Sequence, residues 1–223
     1  MTTKYNIIAI PDTHFPFTDL SALNKIYKYC VKYKPTHIVQ LGDLHDFWSF
    51  SRFPRNPSLI TPKEELEKSL RMARNMWARL RQASPKAICH QLIGNHDERP
   101  KKRILSSAPE LIEFLDLSYL YEFEKVKVQS SQRDELYIGN ILFTHGHLSQ
   151  LGAHARETLH SVVHGHTHKG GILHISDKLW EADAGFLGDK NHPALSYTMY
   201  KRASKWRKGF VHIDEYGPRF VTI

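Results

Sequence analysis

The sequence predicts an α/β fold in which two mixed β-sheets pack together and helices flank them. Two observations support this prediction. In the first half of the chain, short apolar runs alternate with amphipathic stretches, which is the pattern of βαβ units with parallel strands. In the second half, short apolar runs follow one another with turn residues between them, which favours hairpins in a second sheet. The length of 223 residues suits one domain, which we expect to span 1–223.

The first predicted βαβ unit lies at the start of the chain. The apolar run 5–10 predicts the first strand. Apolar residues at helical spacing predict a helix over 19–34, which Pro35 ends. The run 37–41 predicts the second strand, and this order implies a parallel pair with a right-handed crossover.

A long amphipathic helix is predicted next, over 62–82. Thr61 is a suitable N-cap, and Glu65 is near enough to complete a loose capping arrangement. A third strand is predicted over 87–93, followed by a helical region at 98–121 that prolines interrupt. The stripe of the long helix that we expect to be buried is Leu66, Leu70, Ala73, Met76, Trp77 and Leu80.

Several short strands are predicted in the second half of the chain. A strand at 125–129 precedes a hairpin whose tight turn is Gly139-Asn140. A short helix is predicted over 153–159, before a strand at 162–163. The remaining runs predict antiparallel strands at 171–175, 179–184, 209–213 and 219–223.

The composition indicates which kinds of partner the protein binds and in which compartment we expect it. The chain has 31 Lys and Arg against 23 Asp and Glu, and its net charge of +8 favours an anionic partner such as nucleic acid, a phosphorylated small molecule or acidic lipid. No apolar run is long enough for a membrane span, so we expect no integral membrane association. The amino terminus lacks a signal-peptide pattern, and Cys30 and Cys89 lack metal spacing. We therefore expect a cytoplasmic protein with two reduced, buried thiols.

Five predicted strands lead into Asp, Asn, His or Gly residues. A single segment of this kind, such as Gly-Asn-His-Asp at 94–97, is also typical of a plain turn. Five of them indicate a site, because open α/β sheets bind ligands outside the carboxyl ends of their strands. The candidate metal ligands at these ends are Asp12, His14, Asp43, Asn95, His145, His166 and His168.

This set of two carboxylates, one amide and four imidazoles suits manganese, iron, zinc, nickel or cobalt, with manganese the leading choice. Seven ligands exceed the four of one tetrahedral zinc, but they suit two ions that share a carboxylate. If Asp43 is shared, the ions lie about 3.5 to 4 Å apart, as in two-metal hydrolases. Such a pair attracts phosphate and lowers the pKa of a bound water, so a hydroxide nucleophile is available at neutral pH.

His96 directly follows a candidate ligand and cannot easily share its direction. We therefore assign His96 to the leaving group, where it protonates the departing alkoxide or stabilises charge on the phosphoryl oxygens. Asp46 and Asp97 are the candidates to hold its ring. His147 and His164 are each interpreted as orienting a metal-binding histidine or as merely buried.

A loop rich in aromatic residues and arginine is predicted at 47–57. Its rings either pack onto the core or form a lip that faces the substrate, because exposed aromatic rings and arginines suit stacking on bases and pairing with phosphates. Arg52 and Arg55 are candidate substrate contacts, and His147 is a third. The basic run 101–103 is interpreted as a polyanion contact or as ordinary surface.

The five blocks, in this order, resemble the signature of the calcineurin-like metallophosphoesterases. They are Asp-Thr-His at 12–14, Gly-Asp-Leu-His-Asp at 42–46, Gly-Asn-His-Asp at 94–97, Thr-His-Gly-His at 144–147 and Gly-His-Thr-His at 165–168. The resemblance covers the chain from residue 5 to about 185. It implies a four-layer α/β/β/α sandwich with a dinuclear metal centre at the carboxyl ends of the strands.

The resemblance also implies a role for each site residue. Asp12, His14, Asp43 and His168 would hold one ion, and Asp43, Asn95, His145 and His166 would hold the other. His96 would be the catalytic histidine, with Asp46 as its partner.

Departures from the family pattern bear on the substrate. The Ser/Thr protein phosphatases of the superfamily carry Asp-Arg-Gly after the second block and Glu after Asn-His, whereas this chain has Asp-Phe-Trp at 46–48 and Asp97. The run Gly-Asp-Leu-x-Asp-Phe-Trp is similar to that of UDP-diacylglucosamine pyrophosphohydrolases, but no amphipathic insert for a lipid is evident. The compact form resembles small bacterial and phage-borne phosphoesterases, whose substrates are often phosphodiesters or nucleic acids.

The leading hypothesis is therefore a metal-dependent phosphodiesterase acting on nucleic acid or nucleotides, with phosphomonoesters as further substrates. A UDP-diacylglucosamine-type pyrophosphohydrolase is one alternative, expected if Phe47, Trp48, Phe50 and Phe53 form one exposed apolar rim. A noncatalytic nucleic-acid binder that keeps the metal site as a structural element is the other.

Overall fold

The computed structural model describes residues 5–53, 56–195 and 205–223, and these form two β-sheets. The strands of the larger sheet are β1 (Ile7–Ile10), β2 (His37–Gln40), β3 (Ile88–Gln91), β4 (Val126–Val128), β10 (Gly209–Asp214) and β11 (Gly217–Thr222). Their order in the sheet is β11-β10-β1-β2-β3-β4. The first four are parallel neighbours, and the hairpin of β10 and β11 joins β1 in the antiparallel direction.

The second sheet is also mixed. Its order is β5-β6-β7-β9-β8, with β5 (Leu136–Ile138), β6 (Ile141–Thr144), β7 (Ser161–His164), β8 (Gly171–His174) and β9 (Trp180–Asp183). The predicted hairpin at Gly139-Asn140 joins β5 and β6. The prediction that β9 is antiparallel holds only for its pairing with β8, because β9 runs parallel to β7 on its other side.

Helices cover the outer faces of both sheets and complete four layers. The helices are α1 (Leu20–Tyr33), α2 (Pro62–Ala83), α3 (Arg99–Ser107) and α4 (Ala153–Thr158). The first two pack on the larger sheet, and α4 packs on the smaller one. The predicted architecture of two mixed sheets flanked by helices is thereby confirmed.

The alternation of side chains along the strands explains this layering. In β1, Ile8 and Ile10 belong to the core under the helices, whereas Ile7 and Ala9 belong to the core between the sheets. In β7, Val163 faces the other sheet and Val162 faces α4. Successive strand residues point to opposite faces, so a strand between two apolar layers needs an unbroken apolar run.

The first turns of α2 differ from the prediction. Glu64, and not Glu65, forms the capping box with Thr61. Leu66 and Leu70 are only partly buried, while Glu65 and Ser69 are buried in their place. The reason is that this end of α2 packs against polar loop backbone and not against the apolar face of the sheet.

The buried polar side chains of α2 support the loop that follows β2. Glu65 accepts hydrogen bonds from the amides of Trp48 and Ser49. Ser69 donates to the carbonyl of Phe15 and bonds the ring of His45. This half of α2 therefore fixes the loops that carry the candidate site.

Cys30 and Cys89 are both buried and unbonded, which confirms the prediction of reduced core thiols. Within the described ranges, no helix has the length and apolar character needed to cross a bilayer.

Candidate metal centre

The seven predicted ligands lie at one edge of the two sheets, where five strands end. Asp12 and His14 follow β1, Asp43 follows β2, Asn95 follows β3, His145 follows β6, and His166 and His168 follow β7. Asn95 and His166 are partly exposed, and the other five are buried. The strands bring these side chains together because the carboxyl ends of β1, β2, β3, β6 and β7 lie on the same side of the molecule.

The first group of donor atoms surrounds His14. The Nε2 atom of His168 lies 2.9 Å from Asp12 Oδ2 and 3.4 Å from His14 Nε2. His14 Nε2 lies 3.9 Å from Asp12 Oδ2 and 3.9 Å from Asp43 Oδ2. Four side chains therefore direct nitrogen or oxygen atoms at one another.

The second group surrounds the amide oxygen of Asn95. This Oδ1 atom lies 3.1 Å from His145 Nε2 and 2.9 Å from His166 Nδ1. His145 Nε2 is also 3.5 Å from Asp43 Oδ2. The same Oδ2 atom of Asp43 therefore faces both groups.

Contacts behind the rings fix their direction. The His14 ring uses Nδ1 for a 2.8 Å hydrogen bond to Asp46 Oδ1, and the His145 ring donates from Nδ1 to the carbonyl of Leu41 at 3.0 Å. Each ring then presents Nε2 to the carboxylates. A hydrogen bond of this kind from the far nitrogen is the usual support of a metal-binding histidine.

The backbone at four of the seven positions is held in an unfavourable conformation. Positive φ angles in the left-handed region cost non-glycine residues of the order of 1–3 kcal/mol each and cluster at functional sites. The four ligands with such angles are His14 (48°), Asp43 (49°), His166 (68°) and His168 (63°). Packing of the surrounding loops must compensate for this cost.

Two glycines allow the loops to close on the carboxylates. A Cβ atom at Gly94 would lie 2.2 Å from Asp43 Oδ1, and one at Gly165 would lie 2.1 Å from Asp12 Oδ1. Any side chain at either position would collide with a candidate ligand. The glycines of the third and fifth sequence blocks therefore have a steric role.

The charge states of the group suit a bound cation. Burial alone would raise the pKa of the Asp43 carboxyl, but neighbouring imidazoles, that of His145 first, outweigh burial and hold this pKa well below its usual range. Asp12 behaves in the same way, and its pKa is also lowered. Burial lowers the pKa of His166 to about 4, so its ring is neutral at pH 7. Ionised carboxylates and neutral imidazoles are the forms that bind metal. Burial would lower the pKa of His14, but neighbouring carboxylates, that of Asp46 first, raise it, so this ring would give up its proton to bind an ion. The donor types present fit a divalent metal centre.

His96 lies beside both donor groups. Its amide donates to Asp43 Oδ1 at 2.8 Å, and its ring Nδ1 lies 3.0 Å from Asp46 Oδ1. Arg99 donates from Nη2 to His96 Nε2 at 2.9 Å. Because an arginine only donates, Nε2 accepts and the ring proton is on Nδ1. The His96 ring is therefore neutral in this state, whereas its predicted role favours a protonated imidazole. Burial lowers the pKa of His96, and the charge of Arg99 is among the other causes.

Asp97 is not placed against the His96 ring. Its carboxylate accepts hydrogen bonds from the amides of Leu44, His45 and Gly94 at 3.3, 3.0 and 2.8 Å. Burial, with the Asp43 charge next, raises the pKa of Asp97 to about 7. Asp97 therefore joins the loops after β2 and β3, and of the two candidates Asp46 is the one in contact with His96.

Arg99 is the main site residue that the sequence did not indicate. Besides contacting His96, it donates from Nη1 to the Asp46 carbonyl at 2.9 Å and lies 3.6 Å from Asp46 Oδ2. The Arg99 amide donates to the His96 carbonyl at 2.9 Å, so a turn just before α3 brings residues three apart together. That spacing is the signal by which it could have been found.

A third group of possible metal-binding side chains, His154, His164 and Glu181, is buried away from the seven. His154 Nε2 accepts hydrogen bonds from the amides of His147 and Leu148, so its proton is on Nδ1, which faces Glu181 at 3.3 Å. His164 bonds Glu181 at 3.1 Å. Because hydrogen bonds occupy these atoms, the group supports the loop after β6 and does not suit a metal.

These contacts decide between the alternatives left open for His164, and they contradict both alternatives for His147. His147 is exposed, and its ring packs edge-on against His154, so it is neither buried nor in contact with the candidate ligands. His164 is buried but pairs with Glu181, so it does not hold the ring of His145 or of His166.

The aromatic loop divides into two parts. Phe47 and Trp48 are buried, with 2% and 6% exposure, whereas Phe53 is exposed. The single exposed apolar rim considered in the sequence is therefore not formed. Arg52 is exposed and lines a cavity beside Asn95, while Arg55 lies outside the described residues.

Comparison with known proteins agrees with the geometry. A family profile described as calcineurin-like phosphoesterase matches residues 5–186. The gene 54 proteins of Mycobacterium phages L5 and D29 are 26% and 27% identical, and each match covers 92% of this chain and 86% of the relative. Among solved structures, the phosphoesterase YfcE from E. coli shares 16% identity with a TM-score of 0.45, over 94% of this chain and 88% of that one. The profile match covers most of the chain and the buried Asp and His groups, and the chain therefore belongs to the calcineurin-like phosphoesterase family.

Proposed function

We propose that this protein hydrolyses phosphodiester bonds with the help of two divalent transition-metal ions. One observation carries the proposal: Asp43 Oδ2 faces both donor groups, at 3.9 Å from His14 Nε2 and 3.5 Å from His145 Nε2. The candidate catalytic histidine lies beside the same carboxylate, since His96 Nε2 is 3.8 Å from Asp43 Oδ2. A carboxylate shared by two donor groups suits two ions at the spacing that two-metal hydrolysis uses.

In this proposal, each of the two groups of donor atoms would hold one ion. Asp12, His14, Asp43 and His168 would hold the first, and Asp43, Asn95, His145 and His166 the second. When bound, the ions would supply positive charge for the phosphate and a hydroxide nucleophile at neutral pH. The mixture of nitrogen and oxygen donors favours manganese, with iron, zinc, nickel and cobalt as further candidates.

The protein's own residues then act on the phosphoryl group and the leaving oxygen. Arg99 lies beside His96, where its guanidinium neutralises an incoming phosphoryl oxygen. Once that oxygen takes over the Arg99 hydrogen bond, His96 Nε2 is free to take a proton from solvent. The attacking water releases one proton to solvent as its oxygen bonds to phosphorus. The bond between phosphorus and the ester oxygen breaks, and the leaving oxygen takes the proton from His96 Nε2.

Asp46 is the positioning residue of this arrangement. Its Oδ1 atom contacts the Nδ1 atoms of both His14 and His96, at 2.8 and 3.0 Å. Burial alone would raise the pKa of Asp46, but the two imidazoles, that of His96 first, hold it far below its usual range. One ionised carboxylate thus orients a candidate ligand and the candidate catalytic ring together.

The test is hydrolysis of bis(p-nitrophenyl) phosphate by protein stripped with a chelator and then reloaded. We expect the stripped protein to be inactive, and manganese to restore turnover that calcium does not restore, because calcium prefers an all-oxygen site. Full activity of the stripped protein would contradict the proposal. Nucleic-acid binding without hydrolysis of any phosphoester, with each metal tried, would instead favour the noncatalytic binder.

The structure does not favour the pyrophosphohydrolase alternative. That function was tied to one exposed apolar rim on the aromatic loop, and the burial of Phe47 and Trp48 removes half of it. Trp48 packs in a core cluster with Phe17 and Phe186. These rings stabilise the loop and are not available to a lipid.

A further inference from the structure

A cavity of about 520 Å³ opens beside the candidate metal centre. Asn95 and Arg99 form its inner end, so it adjoins the second donor group and the His96 ring. Residues 50–53 of the aromatic loop form one wall, and α3 forms the opposite wall. A cavity of this volume is within the range that holds small ligands or part of a larger one.

The charge of this cavity is of one sign. Among the residues that the structure describes, the lining contains four cationic side chains and no carboxylate: Arg52, Arg99, Lys102 and Arg103. Lys102 pairs with Glu98, which lies outside the lining, at 2.8 Å. Among the described residues, no carboxylate forms an ion pair with Arg52 or Arg103. Cations left unpaired around a concave site attract an anion strongly.

The spacing of the α3 cations indicates more than one anionic group. Arg99, Lys102 and Arg103 stand at positions i, i+3 and i+4, so they share one face of the helix. Arg99 and Arg103 are separated by about 6 Å along the helix axis. Arg99 is at the His96 ring, whereas Arg103 is one turn farther out and exposed. Arg103 is therefore placed to contact a second phosphate beyond the one that is cleaved.

The opposite wall offers aromatic surface. Phe53 is 47% exposed, and the Arg52 guanidinium lies over its ring at 5.2 Å from the centroid. Phe50 also lines the cavity. A half-exposed aromatic ring next to an arginine suits a base stacked next to its phosphate, which is how proteins bind single strands without reading their sequence.

We propose that this cavity binds single-stranded nucleic acid, with Arg103 on the phosphate next to the scissile one and Phe53 against a base. This inference rests on the proposed function, because it names the substrate class of the same site. Lone nucleotides and simple diesters leave Arg103 without a phosphate, so they are poorer ligands. Duplex nucleic acid is also disfavoured, because its bases are stacked inside the helix and are not free to contact Phe53.

The first experiment measures binding and needs no turnover. Manganese-loaded protein is titrated into a fluorescein-labelled twelve-nucleotide oligothymidylate with phosphorothioate linkages, and anisotropy is recorded at several salt concentrations. We expect tighter binding than for thymidine monophosphate, the matching duplex or phosphatidylglycerol vesicles. The Arg103→Gln variant should weaken binding about threefold to tenfold and reduce the salt slope by about 0.7, the value for one phosphate contact on a single strand.

Two matched variants show whether the effect comes from this position. Arg103→Lys keeps the charge and should keep the salt slope. Arg74→Gln removes the same charge from an exposed position on α2 that does not line the cavity, and it should bind like the unaltered protein. An equal loss in Arg74→Gln, or no loss in Arg103→Gln, would overturn the proposal.

Measurements of turnover show whether this inference or the proposed function fails. We expect Arg103→Gln to lower the ratio of kcat/KM for the unmodified oligonucleotide to kcat/KM for bis(p-nitrophenyl) phosphate. If the unaltered protein hydrolyses the small diester but binds the oligonucleotide no better than the mononucleotide, the inference fails and the proposed function stands. If neither substrate is hydrolysed while the binding results hold, the proposed function fails alone.

Discussion

Replacing His96 with alanine is expected to lower turnover of a dinucleotide phosphodiester by about two to four orders of magnitude, as loss of a general acid does. The His96 ring contacts Asp46 and Arg99 and lies 3.8 Å from the Asp43 carboxylate. It is next to the reacting group but is not among the seven residues to which we assign the ions. The variant should therefore keep its metal content. Steady-state kinetics and metal analysis on the same preparation make the comparison.

Two substrates with different leaving groups show how His96 acts. A nucleoside alkoxide needs a proton, whereas p-nitrophenolate is a stable anion. If His96 donates to the leaving oxygen, the loss in His96→Ala should be much smaller with bis(p-nitrophenyl) phosphate than with the dinucleotide. Equal losses would show that His96 stabilises the phosphoryl oxygens instead. His160→Ala, at an exposed histidine outside the site, is the control, and unchanged dinucleotide turnover in His96→Ala would exclude any catalytic role.

Replacing Asp43 with alanine is expected to remove both ions and abolish turnover. Asp43 Oδ2 is the only side-chain atom that we assign to both donor groups, so its loss weakens both sites at once. His166 belongs to one group only, so His166→Ala should keep the ion held by the other group. Metal content after dialysis, measured by mass spectrometry, distinguishes the two variants.

Folding must be monitored in the same experiment, because Asp43 also accepts the amide of His96 at 2.8 Å. Asp43→Asn keeps the shape of the side chain and removes its charge, so a folded Asp43→Asn protein with low metal content supports the account. Retention of both ions by Asp43→Ala would show that Asp43 is not a shared ligand.

The convergence of the seven candidate ligands could be predicted because it depends on local features of the sequence. Short apolar runs identify the strands, and parallel strands deliver the residues at their carboxyl ends to one edge. The residues of β1, which precede Asp12, are apolar on both faces, as a strand between two layers must be. The strand before Asp43 places Ile38 on one face and Val39 on the other, and it also contains the buried Gln40. The five sequence blocks of Asp, Asn, His and Gly residues then indicate where the strands end.

Contacts between distant parts of the chain could not be predicted in the same way. The apolar spacing of α2 is compatible with several rotations about its axis, and only the loop amides of Trp48 and Ser49 select the one that buries Glu65. The role of Glu181 depends on His154 and His164, which reach it from α4 and β7. Hydrogen bonds of this kind leave no periodic signal in the sequence.

The choice between Asp46 and Asp97 is a further example. Both are carboxylates near His96 in the sequence blocks, and chemistry alone does not separate them. The backbone after β2 turns so that Asp46 meets the ring, while Asp97 accepts amides from the two loops. Loop conformation, and not residue type, decides between them.

Anomalous diffraction from crystals of the manganese-loaded protein would test the central claim most directly. The account predicts two anomalous peaks at the carboxyl ends of the strands, about 3.5 to 4 Å apart, with the Asp43 carboxylate between them. A single peak, or two peaks without Asp43 as a common ligand, would contradict it.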